Sequence, residues 1–370
     1  MVRAQEEELK EVKRLRKWPL FLCLYILMKL SKHFTRVACH CSNPIIHFCR
    51  MPQLPELYPL KFSPILKDKI WGGDKLKQVL NKEASDRAGE SWEVSAIEGS
   101  ESVVVNGELA GTSLPELIQM FEEKLVGWRV LFRYGKVFPL LIKFIHAAED
   151  LSIQVHPNDE QSGGSGKTEM WYVLWADEDA TLLSGFKNEV SASELRDSIT
   201  SGSFDQYMNR IPVTSGDTFF IQANQVHTIG KGILLAEIQQ SSDITYRIYD
   251  FDRFDDHGKK RELHVDQAFK VMNISTETGK VDYLKSAELV QLVNCPEFTT
   301  NKYSLSDSRT FKANGDRFKI YLNVDGKASI SFNGESLSFN KGETILLPTE
   351  ISMEVIPEGK VSILETMCGI

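Results

Sequence analysis

From Tyr58 to about residue 185, brief apolar runs alternate with clusters of Gly, Asp, Asn and Pro. Short apolar runs cut by frequent turn signals predict strands rather than helices. Strands are expected at Glu101–Val105, Leu140–Ala147, Leu151–His156 and Met170–Ala176. Helical periodicity is confined to three segments: Leu114–Lys124, opened by Ser113 and Pro115; Ser191–Met208, with Ser193 as its cap; and His264–Met272. Beyond about residue 290, period-two alternation returns over Phe318–Val324, Ala328–Phe332, Glu335–Phe339, Glu343–Pro348 and Ser352–Ile356. Asp325-Gly326 and Asn333-Gly334 fall between these runs and read as hairpin turns. Many even strands joined by hairpins point to jelly rolls or barrels. Two such blocks predict a mainly β protein of two jelly-roll β-sandwich units with a few short helices.

The first fifty residues do not share this pattern. The apolar run Trp18–Leu30 contains Pro19 and Lys29 and is shorter than the ~20 residues of a membrane span. Lys10, Lys13, Arg14, Arg16 and Lys17 precede it, as in a signal peptide, but Glu6, Glu7, Glu8 and Glu11 dilute that charge. No small-residue cleavage site follows. The reading adopted is a true start at Met51, with residues 1–50 a poorly ordered extension, 51–288 a first domain with helical insertions, and 289–370 a second domain. No membrane partner is expected.

Composition narrows the function classes. At 370 residues, with 42% hydrophobic and 25% charged residues, the chain can bury a core without covalent help. Its formal charge of −8 argues against nucleic acid as a partner, since that affinity rests on Lys and Arg contacts to phosphate. Cys23, Cys39, Cys41 and Cys49 precede residue 51, leaving Cys295 and Cys368 for the body, so no disulfide scaffold is present. Cys39, Cys41 and Cys49, with His40 and His47 nearby, match no zinc ribbon or finger spacing.

The segment Leu151-Ser-Ile-Gln-Val-His-Pro157 carries the first chemical signal. Residues two apart in a strand point the same way, so Ser152, Gln154 and His156 share one face and Leu151, Ile153 and Val155 the other. Gly166-Lys-Thr-Glu-Met-Trp-Tyr172 puts Lys167 and Glu169 on one face at a strand start, and His227 follows in a short turn. Taken singly, such residues are usually surface or hydrogen-bonded groups. Together, two histidines, a carboxylate and an amide from separate strands make a four-donor N/O set suited to zinc.

With these pieces in place, the chain resembles the type I mannose-6-phosphate isomerases of the shorter bacterial form, in the cupin superfamily. The resemblance rests on Pro64-Ile-Leu-Lys-Asp-Lys-Ile-Trp-Gly-Gly73, Gly89-Glu-Ser-Trp-Glu-Val-Ser95, Pro139-Leu-Leu-Ile-Lys143, the Gln154/His156 strand, Lys167-Thr-Glu169, His227 and Ser242-Asp-Ile-Thr-Tyr-Arg-Ile-Tyr-Asp250. It covers roughly residues 58–255, with a looser fit in the C-terminal block. It implies two cupin-type sandwiches and one Zn2+ per chain, with Gln154, His156, Glu169 and His227 as metal ligands and Arg247 as the active-site arginine. Ser152, Lys167 and Glu237 then line the substrate pocket, with Lys143 on the neighbouring strand. One departure stands out: Gln222-Ala-Asn224 replaces the family's Pro-Ala-Gly before the last histidine. Asn tolerates left-handed backbone, so the turn should survive. The second unit has no histidine after His264 and is expected to be metal-free.

The implied activity is interconversion of mannose 6-phosphate and fructose 6-phosphate through an enediol-type intermediate, by a cytoplasmic enzyme acting on a small phosphorylated sugar. Catalytic roles fall to Arg247, Lys167 and Glu237, and substrate contacts to Ser152, Lys143 and Trp71. Glu237 is first choice as base, because a carboxylate in the apolar strand Leu234–Gln240 is expected to have a raised pKa. Trp92 is a further candidate pocket wall. The alternative is a non-catalytic or Fe(II)-dependent oxidative metal cupin, which two histidines and a carboxylate also suit. A homodimer is left open.

Overall fold

A computed structural model describes residues 54–255 and 257–369, so the expected extension 1–50 and its Cys/His cluster lie outside the described residues. Apart from one two-stranded hairpin, the strands among the described residues form two pairs of sheets. The first pair comprises a seven-stranded sheet ordered Ile65–Asp68, Ala88–Val94, Leu140–Ala147, Ile233–Gln240, Glu169–Ala176, Thr218–Ile221, Lys280–Val281, and a five-stranded sheet ordered Tyr246–Tyr249, Ile153–Val155, His227–Thr228, Thr181–Phe186, Met208–Pro212. The ladders within both are antiparallel. Trp71, Ile145, Trp171, Val173, Leu182 and Leu235 meet in one core drawn from both sheets, as expected of a sandwich.

The outer face of the five-stranded sheet is covered too. Ile153, Val155, Leu183, Phe186 and Ile248 pack against Leu195, Phe204, Ala268 and Val271 from the helical segments. This decides the inward residues: with Ile153, Val155 and Ile248 turned towards the helices, the pleat turns Gln154 and Arg247 into the sandwich.

The C-terminal block builds a second sandwich. Five strands run in the order Leu289–Asn294, Phe298–Leu305, Val361–Cys368, Lys319–Asp325, Thr344–Leu347, and four in the order Arg309–Phe311, Met353–Pro357, Lys327–Phe332, Glu335–Asn340. Tyr321, Ile345 and Ile363 of one sheet close on Ile330, Phe339 and Val355 of the other. The mainly β, two-sandwich, cupin-type architecture is therefore present. Among the described residues no helix is long and apolar enough to cross a membrane.

Several local expectations need correction. Glu101–Val105 is not a strand: only Ser100–Glu101 is, in a short hairpin with Ala96–Ile97, and Val103 and Val105 are exposed. Its alternation has no continuous partner to pair with. The second helix is Ala192–Thr200, capped by Ser191 rather than Ser193: Ser191 Oγ accepts from Glu194 N while Ser191 N donates to Glu194 Oε2. Leu114–Phe121 ends early because Glu122 takes a φ of 47°.

Asn333-Gly334 is a two-residue hairpin with both φ positive, joining strands in register at Phe332 and Glu335. Asp325-Gly326 is not a hairpin. The strands on either side belong to different sheets, and Gly326 sits where a Cβ would lie 2.2 Å from the Lys360 carbonyl oxygen. Asn224 has a φ of 73°, donates through its N–H to the His156 carbonyl, and reaches Gln161 Oε1 at 2.7 Å. Asn224→Ala should cost about 1–2 kcal/mol from left-handed strain, and Asn224→Gly less. Denaturant midpoints at constant m test the order.

Candidate active site

Strand register assembles the site. In the seven-stranded sheet, Glu237 lies opposite Lys143 on one side and Trp171 on the other. In the five-stranded sheet, Gln154 lies between Arg247 and His227. Cross-strand neighbours point the same way, so two polar rows project into the first sandwich. Trp171 and His227 rings meet edge-on at 5.3 Å, joining the rows.

His156, Glu169 and His227 are buried and offer donor atoms that all lie within 4.8 Å of one another. The rings are 4.9 Å apart. His156 Nδ1 donates to the Ile244 carbonyl at 2.8 Å and His227 Nδ1 to the Gln225 carbonyl at 2.8 Å. Carbonyls only accept, so both rings carry their proton on Nδ1 and turn an Nε2 lone pair inward. Burial keeps them neutral, pushing His156 well below its usual range and His227 down to about 4.

Both Glu169 carboxylate oxygens are buried without a hydrogen bond of acceptable geometry. Burial raises this carboxyl to about 7, opposed by Lys167. The Lys167 ammonium stands 2.9 Å from Glu169 Oε2 and 3.0 Å from His156 Nε2, a cation within the donor set. Inward imidazole lone pairs around a buried carboxylate whose close counter-charge is the Lys167 ammonium fit a divalent metal ion by donor chemistry. Gln154 faces the same centre, its amide nitrogen 3.4 Å from His227 Nε2, and rotating the amide would present its oxygen instead.

A cavity of about 360 Å³ adjoins this cluster through Gln154 and Lys167. Trp71, Lys143, Ser152, Glu237 and Arg247 all line it, so every residue anticipated as a substrate contact or catalytic group is brought together. Trp92 lines it as well. Six further polar residues line it that were not singled out as site residues: Lys67, Lys69, Glu90, Asp243, Thr245 and Arg261. Period-two spacing carries most of that signal. Glu90 is two from Trp92, Lys69 two from Trp71, and Asp243 and Thr245 continue the alternation that ends on Arg247.

One electrostatic expectation is reversed. Glu237 was expected to have a raised pKa. Burial alone would raise it, but Lys143 and Lys167 outweigh burial and bring it down to about 2. Lys143 Nζ lies 3.0 Å from Glu237 Oε1, and Trp171 Nε1 donates to Oε2 at 3.0 Å. The apolar strand supplies burial, while its two neighbouring strands supply donors that stabilise the charge. Lys143 answers in kind: burial would lower its pKa, yet Glu237 and then Glu90 raise it.

Arg247 is held but not neutralised. Its Nη1 donates to the Glu262 carbonyl at 2.7 Å, and its Nε is buried with no partner. Asp250, the acid that acts on it most strongly, is taken by Arg253 and Arg261.

Comparison with known proteins agrees with this geometry. Residues 59–180 match the family model "Phosphomannose isomerase type I, catalytic domain" and residues 288–365 match "Mannose-6-phosphate isomerase, cupin domain". Mannose-6-phosphate isomerase of Streptococcus mutans is 38% identical over 303 residues, spanning 79% of this chain and 93% of that one. Mannose-6-phosphate isomerase ManA of Bacillus subtilis is 38% identical over 301 residues, 78% of this chain and 93% of that protein. The crystal structure of mannose 6-phosphate isomerase from Bacillus subtilis superposes with a TM-score of 0.75 at 31% identity, covering 83% of this chain and 99% of that one. The chain belongs to the type I phosphomannose isomerase family.

Proposed function

We propose that this chain interconverts D-mannose 6-phosphate and D-fructose 6-phosphate through an enediol-type intermediate, with one zinc ion per chain held by His156, Glu169 and His227 and joined by Gln154. The observation that carries the reading is the junction of a buried N/O donor set with a cation-lined cavity that also presents an ionised carboxylate. The same donor set suits an Fe(II) cupin, but a wall carrying Lys67, Lys143, Lys167 and Arg247 fits a phosphorylated, charge-developing substrate better.

Isomerisation moves one proton from C2 of the aldose to C1 of the ketose, with hydroxyl protons redistributed between O1 and O2. Glu237 is ionised at neutral pH and can accept the C2 proton without first losing one of its own. Lys143 and Trp171 fix that carboxylate in place, at some cost in basicity. Arg247 and Lys167 offset charge developing on the sugar oxygens or hold the phosphate, and Ser152 supplies a hydroxyl. A bound zinc ion would act as a Lewis acid towards sugar oxygens. We further assign the catalytic domain to 51–288 and a metal-free second domain to 289–370.

The test is formation of fructose 6-phosphate from mannose 6-phosphate by metal-replete protein. Turnover should vanish on chelation and return with zinc. A metal-replete sample that produces no ketose overturns the assignment of activity, and full turnover after verified metal removal overturns the role of the metal.

Lys143→Met tests the base. With that counter-charge gone, burial is opposed only by Lys167 and the Trp171 donor, and Glu237 moves up from about 2. Protonation then disables the base at pH values where the wild type is ionised, so an acid limb should enter the kcat/KM profile from below neutrality. An unchanged acid limb in a folded variant removes Glu237 from that role.

A further inference from the structure

Among the described residues three lysines are buried: Lys143, Lys167 and Lys302. Lys143 is paired with Glu237, and Lys167 with Glu169. Lys302 is 4% exposed, yet its ammonium meets only Ser304 Oγ at 2.7 Å and the Lys285 carbonyl at 3.3 Å, with no carboxylate in ion-pair range. Burial, and then Lys360, lower its pKa. A buried ammonium without a counter-ion is costly unless an anion joins it.

The surroundings indicate where that anion would come from. Ser304 lines a second cavity, also about 360 Å³, formed where the turn at 306–308 meets Lys360 and residues 286–288. This cavity shares no residue with the first. Its wall carries four serines, with Arg309 and Lys360 as cations, Glu288 and Asp307 as acids, and Leu305 as the one apolar residue. Glu288 is turned to Arg309 at 3.5 Å and does not reach Lys302. Lys360 makes no ion pair among the described residues, which leaves two ammonium groups uncompensated beside a cluster of hydroxyls. The volume is that of an ordinary small-molecule site, and the lining excludes an apolar ligand.

We propose that this cavity binds the phosphoryl group of a small polar metabolite, with Lys302 and Lys360 as its counter-charges and Ser304 and its neighbouring hydroxyls as donors. The site is distinct from the catalytic cavity and does not depend on the activity assigned above.

The probe is inorganic phosphate, titrated by calorimetry into full-length, metal-loaded protein. Phosphate bound in the first cavity, which neither Lys302 nor Lys360 lines, is separated as the component that substitutions at these two lysines leave unchanged. Phosphate should bind and raise Tm, and Lys302→Met and Lys360→Ala should each weaken that binding at least tenfold. Lys302→Met should also raise Tm in phosphate-free buffer, since it removes a buried charge that has no counter-ion. A purely structural lysine would give the reverse, a lower Tm. Phosphate affinity unchanged in Lys360→Ala, an exposed position that cannot perturb folding, overturns the proposal, as does a Lys302→Met variant that loses stability without losing phosphate.

Discussion

His227→Ala is expected to lose tight metal binding and to lower kcat/KM on mannose 6-phosphate by about 10³-fold or more, equivalent to about 4 kcal/mol. His227 is fully buried and its Nδ1 proton is spent on the Gln225 carbonyl, so its only outward chemistry is the Nε2 lone pair. Removing that lone pair leaves Glu169 facing Lys167, a cation it already has, and lowers the donor count to His156, Glu169 and the weak amide of Gln154. Metal content per chain, measured on the purified variant, should fall together with turnover. His156→Ala should behave alike, because His156 is oriented by the Ile244 carbonyl in the same way. A variant that kept full metal content while losing activity would show that the imidazole does not ligate, and the site would need another set of donors.

Much of this arrangement was legible because β geometry makes sequence spacing into direction. Leu140–Ala147 was predicted with its bounds, and the Ser152/Gln154/His156 face followed from the pleat alone. Left-handed backbone at Asn224 was implied by the glycine that the resemblance places there, a conformation that Asn tolerates. What could not be read was pairing. Alternation says which face is buried but not which strand lies alongside, so Asp325-Gly326 looked like a hairpin though its flanking strands join different sheets. The same gap reversed the electrostatics of Glu237. Its own strand is apolar and suggested a raised pKa, yet Lys143, 94 residues away, lies directly across the ladder from it. The cavity-lining Arg261 was missed for a related reason: it is held there by Asp250, 11 residues away, and no local pattern marks it.

Arg247→Ala is expected to leave metal content intact while lowering kcat by about 10²–10³-fold, the range for loss of one preorganised donor to a developing charge. The guanidinium is fixed through Nη1 on the Glu262 carbonyl, while its strand is held through the Arg247 backbone N–H donating to His264 Nδ1, so its position costs little reorganisation during reaction. Its Nε is buried with no acceptor, a penalty that an anion in the cavity would relieve. Asp250 cannot serve, being engaged by Arg253 and Arg261. Arg247→Lys should recover little, because an ammonium lacks both the Nε donor and the planar fork. The split between constants then assigns the role. A fall in kcat places Arg247 at the charge that develops on the sugar oxygens, whereas a rise in KM with kcat unchanged places it at the phosphate, binding ground and transition states alike. If neither constant moves, the orphaned Nε is a feature of packing, and the charge that opposes the intermediate must come from Lys167.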